Sequence, residues 1–328
     1  LPMTKRILLT GGAGFIGSHI VSDLQRNTDW SLVLLDRLDC AGNLNRLAEL
    51  GIDPKRTRFV FHDLKGAISE QLSRQIGQID YILHLAAATH VDRSIADPTA
   101  FVLDNVVATC NLLQWAAFSN LTERFLYFST DEVFGPAPDG VRYKEWDRYK
   151  SGNPYAATKA GAEELVGAFH NTYGLSTLVT HTMNVFGPMQ HPEKFVPSTI
   201  RKIRDGETVT IHSNKDRTKA GSRFYIHADH VAEAVRFVLA KGTAGEKYNI
   251  VGQVEMDNLE LAQMIASIQD KPLHYEMVDF HSQRPGHDLR YALDGSKLDA
   301  MGWIPPASFR ESLEQTVNWT LANAERWL

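Results

Sequence analysis

The apolar residues in the first half of the chain form short continuous runs, and longer segments of helical period separate these runs. Runs such as Ile7-Leu8-Leu9 do not alternate with polar residues, as a strand does when one face of its sheet meets water. Strands of this kind are typical of parallel sheets with helices on both faces. The predicted strands are residues 6–10, 32–36, 58–61, 81–85, 125–129 and 177–181. The order of strands and helices predicts an α/β fold with a doubly wound parallel sheet.

The helical pattern continues to the end of the chain, but its regular alternation with strands fades after residue 185. Helices are predicted at residues 15–25, 98–118, 155–172, 195–204, 227–240, 258–268 and 309–327. No Gly/Ser linker separates the two regions, so we expect them to share a ligand cleft. Residues 1–185 should form the doubly wound domain, and residues 186–328 a smaller mixed α/β region with some segments that return to the first domain.

The composition is that of an ordinary globular protein and excludes several classes. Of 328 residues, 43% are hydrophobic and 22% charged, which argues against a disordered or coiled-coil chain. The net charge of -5 disfavours a general nucleic-acid binder, so an anionic ligand must meet local positive charge. Two cysteines, Cys40 and Cys110, fit a reducing compartment, and no stretch approaches the ~18 apolar residues of a membrane span. We therefore expect a cytoplasmic protein. We also expect no metal site, because the histidines do not occur at the spacing of metal ligands.

A glycine-rich turn follows the first predicted strand and precedes the first predicted helix. Gly11, Gly14 and Gly17 have the spacing that allows a tight turn, a close approach of the backbone to a pyrophosphate, and close packing of helix against strand. Asp36 ends the second predicted strand, near the offset of ~20 residues at which an acid binds the adenosine ribose. Together these residues predict a dinucleotide site. Asp36 favours NAD, whereas the adjacent Arg37 keeps NADP open.

Asp63 follows the third predicted strand. Its carboxylate could accept a hydrogen bond from the adenine amino group of the dinucleotide. It could equally cap a helix, and the sequence leaves both interpretations open.

A second group of polar residues lies at the end of the fifth predicted strand. Thr130, Asp131 and Glu132 come where an open α/β sheet presents its ligand crevice. Tyr155 and Lys159 are four residues apart and so share a helical face. A neighbouring cation lowers the pKa of a phenol, which then serves as a base for hydride chemistry at an alcohol carbon. We therefore predict an oxidoreductive step at this site.

These motifs resemble the extended short-chain dehydrogenase/reductase family, which has a Rossmann-type fold. The resemblance rests on Gly11-x-x-Gly14-x-x-Gly17, Ser129-Thr130 and Tyr155-x-x-x-Lys159. Within that family, further segments are similar to the nucleoside-diphosphate-hexose 4,6-dehydratases, over residues 5–303. Those segments are His84-Leu85-Ala86-Ala87, His90-Val91-Asp92-Arg93-Ser94, Ser129 to Gly135, Pro192-Glu193-Lys194 and Arg284-Pro285-Gly286-His287-Asp288.

The resemblance implies a mechanism in which a tightly bound NAD is regenerated in each turnover. Tyr155 would remove the O4 proton of the hexose while C4 gives hydride to NAD, with Thr130 holding O4 and Lys159 keeping the phenol acidic. The resulting 4-ketone acidifies the C5 proton. Glu132 would remove that proton while protonated Asp131 donates to the departing O6 hydroxyl, and hydride would then return to C6. One carboxyl must be ionised and its neighbour protonated, which repulsion and burial can achieve.

The resemblance also implies binding residues and a homodimer formed through helices 98–118 and 155–172. Beside the glycine turn, Asp36, Arg37, Asp63, Tyr155 and Lys159, the implied cofactor-binding residues are Phe15, Ile16, Leu64, Leu85, Ala86, Ala87, Thr89, Asn105, Ser129 and Val185. The implied substrate-binding residues are Thr89, Thr130, Asn184, Lys194, Arg223, Asn258, Arg284 and His287. Three of these have ordinary structural alternatives, namely a strand-end amide at Asn184, a helix cap at Asn258 and a surface salt bridge at Arg284.

The chain departs from the dehydratase pattern at positions that concern the substrate. It has Ala88-Thr89 where a Glu-Ser pair is usual, and Val185 follows Asn184 where a second asparagine is usual. Ser222 occupies the register of a phosphate-binding arginine and Arg223 follows it; because side chains alternate along a strand, Arg223 could face away and Arg217 could substitute. These changes leave the nucleobase and the hexose open.

Two other functions use some of the same residues. A sugar-nucleotide 4-epimerase or a 5,6-dehydratase shares the first oxidation at C4. A nonenzymatic NAD-sensing protein could use the same fold, but it would have little need for Tyr155, Lys159, Asp131 and Glu132 together.

Overall fold

The computed structural model describes residues 4–39, 41–279 and 290–328, and most of its strands lie in one central sheet. Cys40, Arg284 and His287 fall outside the described residues. The strands are β1 Arg6–Thr10, β2 Ser31–Asp36, β3 Thr57–Phe61, β4 Ile79–His84, β5 Leu121–Thr130, β6 Thr177–Thr182, β7 Asn184–Phe186, β8 Val209–Ser213, β9 Ser222–His227, β10 Lys247–Ile250, β11 Glu255–Asp257 and β12 Tyr275–Asp279. Among the described residues, seven parallel strands form the central sheet in the order β10-β6-β5-β4-β1-β2-β3. The order is that of a Rossmann-type fold, as predicted.

Helices cover both faces of the central sheet, which explains why its strands are apolar on both sides. The helices are α1 Phe15–Asn27, α2 Asn45–Glu49, α3 Glu70–Ile76, α4 Val91–Ala96, α5 Pro98–Phe118, α6 Pro154–Tyr173, α7 Phe195–Asp205, α8 Ala228–Lys241, α9 Asn258–Ile268, α10 Ser296–Ala300, α11 Phe309–Ala322 and α12 Ala324–Trp327. Ile7 and Leu9 pack in the layer of α1 and α8, whereas Leu8 packs in the layer of α5 and α6. Alternate residues of β1 thus enter two fully buried cores.

Helix α5 is irregular and is the most apolar of the long helices. It begins with Pro98 after the cap Asp97, and residues Val102–Val107 have π-helical geometry. By length and composition α5 could cross a membrane. A stretch of 18 residues within it has a mean hydropathy of 1.2, and 44% of that stretch is buried. One such helix is weak evidence for a membrane, because a core helix passes the same test.

The remaining strands form two small sheets beside the central sheet. The first has the order β11-β9-β7 and the second pairs β12 with β8. Helices α7, α9 and α11 cover them with a separate core that includes Ile200, Leu261, Ile265 and Leu313. Several described elements beyond residue 185 lie with the central sheet, among them α8, the edge strand β10 and α10, whose Leu298 is buried in the same core. The division of the chain at residue 185 stays a prediction.

The carboxyl ends of β1, β2, β4 and β5 lie at one edge of the central sheet. The glycine turn follows β1, Asp36 ends β2, and the loop at residues 85–89 follows β4. The polar residues Thr130, Asp131 and Glu132 come at the end of β5. Parallel pairing therefore brings the predicted cofactor and catalytic residues to the same edge.

Candidate active site

The turn between β1 and α1 requires its glycines. Gly11 has a φ of 73°, and a Cβ there would lie 2.9 Å from the backbone nitrogen of Ala86. A Cβ on Gly17 would collide with the carbonyl oxygen of Gly11. Helix α1 begins after Gly14 without a side-chain cap, so the first N–H groups of the helix, including those of Phe15 and Ile16, are left for another acceptor. The residues present fit a pyrophosphate at this turn.

Asp36 is buried at the end of β2 and is fixed by the backbone around it. Its Oδ2 accepts a hydrogen bond from the backbone N–H of Ala13 at 3.0 Å, and its Oδ1 accepts one from Leu38 at 2.9 Å. The carboxylate is thus held against the glycine turn, where an adenosine ribose would meet it.

Arg37 is surrounded by carboxylates, which bears on the choice between NAD and NADP. Its guanidinium binds Asp104 through two nitrogens at 2.5 and 2.9 Å and binds Asp39 at 2.7 Å. The hydrogen bond to Asp104 raises the pKa of Arg37 above its ordinary value. Because its charge is already compensated, Arg37 is poorly placed to attract a 2′-phosphate. The geometry favours NAD.

Asp63 and Leu64 follow β3 on the same side of the sheet. Asp63 accepts a hydrogen bond from the backbone N–H of Lys65 at 3.0 Å and lies 3.6 Å from Arg37. Helix α3 is capped by Ser69, so the described structure does not support the helix-cap interpretation of Asp63. Leu64 is buried. An adenine contact for Asp63 stays a prediction.

The loop after β4 is braced by Asn105, which lies in the π-helical segment of α5. The Asn105 amide donates to the carbonyl of Ala88 at 3.0 Å and to Thr158 at 2.9 Å, and its oxygen accepts from Ala88 N–H at 2.8 Å. Thr10 accepts from Ala86 N–H at 3.1 Å. Asn105 therefore holds the loop after β4 against α6. Leu85 and Ala87 are half-buried in the same loop, and Thr89 is exposed.

Tyr155 lies in the first turn of α6, a position that the residues before it enforce. Asn153 caps the helix by accepting from Ala156 N–H at 2.8 Å, and Pro154 occupies the first helical position. The backbone N–H of Tyr155 donates to Ser94 at 3.1 Å. Sequence reasoning missed Asn153 and Ser94, although Asn-Pro directly before Tyr155 is a helix-start signal.

Burial dominates the ionisation of the tyrosine and the lysine. Burial raises the pKa of Tyr155 above its ordinary value, and Glu132 raises it further, while a hydrogen bond with Thr130 lowers it. Burial lowers the pKa of Lys159 to about 7. The Lys159 ammonium donates to the carbonyl of Phe128 at 2.7 Å. An effect of Lys159 on the pKa of Tyr155 stays a prediction.

Buried Asp131 and half-buried Glu132 form a carboxyl pair on the short helical turn Asp131–Phe134 after β5. Burial raises the pKa of Asp131 to about 6, and burial together with the charge of Asp131 raises the pKa of Glu132 to about 7. The pair therefore keeps a proton close to neutral pH, as an acid beside a base requires. The higher pKa lies on Glu132, whereas the predicted roles need the proton on Asp131.

The hydrogen bonds of the carboxyl pair differ in a way that suits the predicted roles. Asn153 donates its amide to Glu132 at 3.1 Å, which stabilises the ionised form of Glu132. Thr130 donates to Oδ1 of Asp131 at 3.0 Å, but Oδ2 of Asp131 is buried and has no hydrogen-bond partner among the described residues. The Ser129 hydroxyl is also buried and has no hydrogen-bond partner among the described residues. Both orphaned oxygens are available to a bound ligand.

Arg223 faces the carboxyl pair. Its guanidinium lies 4.7 Å from the centre of the Tyr291 ring and donates to the carbonyl of Ser222 at 2.7 Å. The positive charge of Arg223 lowers the pKa of both Asp131 and Glu132, against the larger effect of burial. The possibility that strand alternation turns it away is therefore not realised. Arg217 lies exposed in the loop before β9, with a φ of 57°.

The other predicted substrate residues are placed as follows. Asn184 is exposed at the start of β7, followed by half-buried Val185, and Lys194 precedes α7 as its cap residue. Burial raises the pKa of Glu132 while the charge of Lys194 lowers it, so Lys194 lies near the carboxyl pair. Asn258 begins α9 and accepts from the Tyr225 hydroxyl at 2.6 Å, but the cap is its neighbour Asp257. In residues 4–39, 41–279 and 290–328, no cluster of three or more metal-ligating side chains occurs.

Comparisons with known proteins agree with this geometry. The model of the NAD dependent epimerase/dehydratase family matches residues 7–251. The chain is 38% identical to dTDP-glucose 4,6-dehydratase of Escherichia coli, covering 97% of this chain and 93% of that protein. It superposes on DesIV, the dTDP-glucose 4,6-dehydratase of Streptomyces venezuelae with NAD bound, with a TM-score of 0.89, 38% identity and 98% coverage of each chain. For UDP-glucose 4-epimerase of Thermus thermophilus in complex with NAD the TM-score is 0.86 at 29% identity, over 96% of this chain and 98% of that one.

The protein belongs to the NAD dependent epimerase/dehydratase family. It is an NAD-dependent enzyme with a Rossmann-type fold. The resemblance found in the sequence motifs is confirmed.

Glu132→Gln should make the protein more stable in alkaline solution. Ionising the half-buried Glu132 opposes folding, because its folded pKa of about 7 lies above the ordinary value of 4.5. The stability associated with the protonated group is lost as pH rises through 7, and glutamine cannot ionise. We expect a gain of about 1–3 kcal/mol at pH 8 and a smaller gain at pH 5. Thermal unfolding with saturating NAD measures both, with the exposed Glu164→Gln as control. A gain no larger at pH 8 than at pH 5 would contradict the assignment.

Proposed function

We propose that the protein is a nucleoside-diphosphate-hexose 4,6-dehydratase of the dTDP-glucose or UDP-sugar type, a carbon–oxygen lyase. It oxidises C4, eliminates water across C5 and C6, and returns hydride to C6, giving the 4-keto-6-deoxyhexose. The observation that carries this proposal is the pair of buried Asp131 and half-buried Glu132 beside Tyr155 and Thr130, with the pKa of each carboxyl raised toward neutral pH. A 4-epimerase needs no acid to expel O6, whereas a dehydratase needs both an acid and a base. The similarity to dTDP-glucose 4,6-dehydratases supports the same choice.

NAD supplies the hydride acceptor for C4 and the hydride donor for C6. The glycine turn and the N-terminus of α1 would hold its pyrophosphate, and Asp36 would hold the adenosine ribose. Asn105 would act on the cofactor indirectly, by keeping the loop after β4 in place. Tyr155, Lys159 and Ser129 would complete the cofactor site, and Ser129 offers a buried hydroxyl with no other partner in the described residues.

The first step takes the O4 proton from the hexose. Thr130 hydrogen-bonds O4, and the phenolic oxygen of Tyr155 accepts the proton as the C4–H bond breaks. Burial raises the pKa of the phenol, and its hydrogen bond with Thr130 opposes that rise. Like the hydrogen bond with Thr130, positive charge on Lys159 and on the bound cofactor would lower the pKa of Tyr155.

The second step eliminates water. The ketone at C4 withdraws electrons from C5, and Glu132 takes the C5 proton while protonated Asp131 gives its proton to O6. The C6–O6 bond breaks and water leaves. Glu132 then returns its proton to C5 as C6 receives hydride. Asp131 takes up a proton from solvent and Tyr155 releases the O4 proton to solvent, so all three groups return to their starting states.

Local cations meet the diphosphate of the substrate despite the net charge of -5. Lys194 and Arg223 face the carboxyl pair and would make charge-assisted hydrogen bonds to phosphate oxygens. The other residues proposed for the substrate are Thr89, Asn184, Asn258, Arg284 and His287. A sugar-nucleotide 4-epimerase is the second candidate, favoured by the shared first oxidation and by the structural likeness to an epimerase.

A panel of nucleoside-diphosphate hexoses tests the reaction class. Incubated with dTDP-glucose, UDP-glucose and UDP-N-acetylglucosamine, the enzyme should convert at least one to a product that has lost the mass of water and absorbs in alkali as a 4-ketone. Mass spectrometry and absorbance measure both. A product of unchanged mass with inverted C4 would identify an epimerase and overturn the proposal.

Substitutions of the tyrosine and the aspartate should stop the reaction at different steps. Tyr155→Phe removes the base for C4 oxidation, and we expect a loss of kcat of about 100-fold or more. Asp131→Asn leaves that oxidation intact but slows elimination, so the enzyme should accumulate NADH and 4-ketohexose. Stopped-flow absorbance at the NADH band distinguishes them. An Asp131→Asn enzyme with neither slower turnover nor NADH accumulation would reject the role of Asp131.

We further propose a cytoplasmic homodimer formed through α5 and α6. Several large apolar side chains of these helices are exposed, including Val102, Leu103 and, at 63% and 52%, Phe118 and Tyr173. The rings of Phe118 and Tyr173 touch at a centroid distance of 5.2 Å. A second copy would cover this surface, which also accounts for the apolar composition of α5. We also propose that residues 1–185 form an NAD-binding domain and that residues 186–328 form a substrate-binding region.

Leu103→Glu should weaken the dimer. A carboxylate buried at an apolar interface costs several kcal/mol, so the dissociation constant should rise by about 100-fold or more. Sedimentation at micromolar concentration should show a dimer for the wild type and a monomer for the variant. Ile304→Glu, a change at an exposed apolar residue outside these helices, is the control. A monomeric wild type would contradict the proposed dimer.

A further inference from the structure

A buried ionic network lies one helical turn beyond Lys159 on α6. Glu163 is its centre and is almost wholly inaccessible to water. The two carboxylate oxygens of Glu163 lie 3.0 and 3.1 Å from Nε2 of His181, and Lys247 lies 2.9 Å away. The Tyr149 hydroxyl donates to the same carboxylate. Glu163 is not involved in the chemistry proposed above, yet it collects three donors in the core.

The partners of Glu163 are themselves fixed by the backbone of other elements. His181, in β6, shares a hydrogen bond of 2.9 Å with Asn249 in β10. The side-chain amide of Asn249 donates to the carbonyls of Tyr143 and Asp294 at 3.0 Å each. The backbone N–H of Asn249 donates to the Glu145 carboxylate at 3.2 Å. The network therefore ties the catalytic helix to two strands of the central sheet and to the segment between Glu132 and Asn153.

The charge on Glu163 is secure, and it faces Lys159. Burial alone would raise the pKa of Glu163, but the charge and hydrogen bond of His181, with Lys247 and Tyr149, hold it well below its ordinary value. Positions 159 and 163 are four apart, so the two side chains occupy neighbouring places on one helical face. The anion at the centre of the network is therefore close to the buried ammonium.

Lys159 needs such an anion. Its ammonium donates to the Phe128 carbonyl and lies 4.2 Å from the centre of the Tyr127 ring, both of them uncharged groups. His84 in β4 also lies near the ammonium, and burial keeps His84 neutral by lowering its pKa to about 3. Burial lowers the pKa of Lys159 to about 7, and the charge of Glu163 opposes that effect.

We propose that Glu163 is a positioning residue that keeps the Lys159 ammonium charged at the cofactor site, with His181, Lys247 and Tyr149 holding Glu163 in its ionised form. The proposal rests on the cofactor role of Lys159 proposed above but not on the identity of the sugar. Through Lys159, the network sets the pH range over which the enzyme holds its cofactor and keeps the phenol of Tyr155 reactive.

Two substitutions in the network act on Lys159 in opposite directions. Glu163→Gln keeps the shape of the side chain but removes its charge, so Lys159 should lose its proton at lower pH. Lys247→Met removes a cation that partly compensates Glu163, so Lys159 should keep its proton to higher pH. A residue with only a structural role would produce loss of stability in both variants without opposite pH effects.

NADH fluorescence titrations between pH 6 and pH 9 test this without any sugar. The wild-type affinity should fall as Lys159 deprotonates. The midpoint of that fall should move down by about one pH unit in Glu163→Gln and up by about half a unit in Lys247→Met. Glu163→Asp, which keeps the charge, should restore most of the wild-type midpoint. Glu164→Gln, an exposed neighbour on α6, should leave it unchanged.

The outcomes are decisive in each case. Midpoints of Glu163→Gln and Lys247→Met that both match the wild type, or that both move in the same direction, overturn the proposal. If Glu163→Gln does not fold, the upward shift in Lys247→Met decides by itself. A protein that fails to dehydrate any sugar but shows the opposite shifts would refute the proposed dehydratase while supporting the role of Glu163.

Discussion

Burial of ionisable side chains at the carboxyl edge of the central sheet is the constraint on which the site depends. Removing water penalises every charged form, so the carboxyls of Asp131 and Glu132 hold their protons to higher pH while Lys159 loses its own at lower pH. Each group reaches a useful protonation state only through its neighbours. The same strand ends that create the crevice therefore also create the pKa values that acid–base chemistry near neutral pH requires.

Helix α6 distributes these neighbours along one face. Tyr155 reaches the carboxyl pair, Lys159 comes one turn later beneath β5, and Glu163 one turn later again, within the core. The cap residue Asn153 both starts the helix and donates to Glu132. A shift of this helix would therefore disturb four groups together, namely Tyr155, Lys159, Glu163 and Glu132. This coupling explains why so many of its contacts reach separate elements, from Ser94 to Lys247.

The sequence predicted the strands, the glycine turn and the polar strand end well, because each is encoded locally. A run of apolar residues reports burial on both faces, and the spacing of Gly11, Gly14 and Gly17 reports backbone geometry. Properties that depend on distant residues could not be predicted in this way. The direction of the Tyr155 pKa follows from burial and from Glu132, 23 residues away in the sequence, and the orientation of Arg223 follows from Tyr291. The network at Glu163 joins residues 149, 181 and 247, which no local pattern connects.

Contacts of Arg46 cross the boundary predicted at residue 185, and no local pattern in the sequence indicates them. Arg46 is buried, and its guanidinium donates to the carbonyl of Ala13 in the glycine turn at 3.1 Å and to that of Ala41 at 2.7 Å. It also donates to Met189 at 3.1 Å, beyond the boundary, and lies 5.9 Å from the ring of Trp327 near the other end of the chain. Because Arg46 donates to carbonyls on both sides of residue 185, the glycine turn and residues beyond this boundary pack against each other. In the proposed function, such packing would hold the sugar in a fixed position relative to the cofactor, which both hydride transfers require.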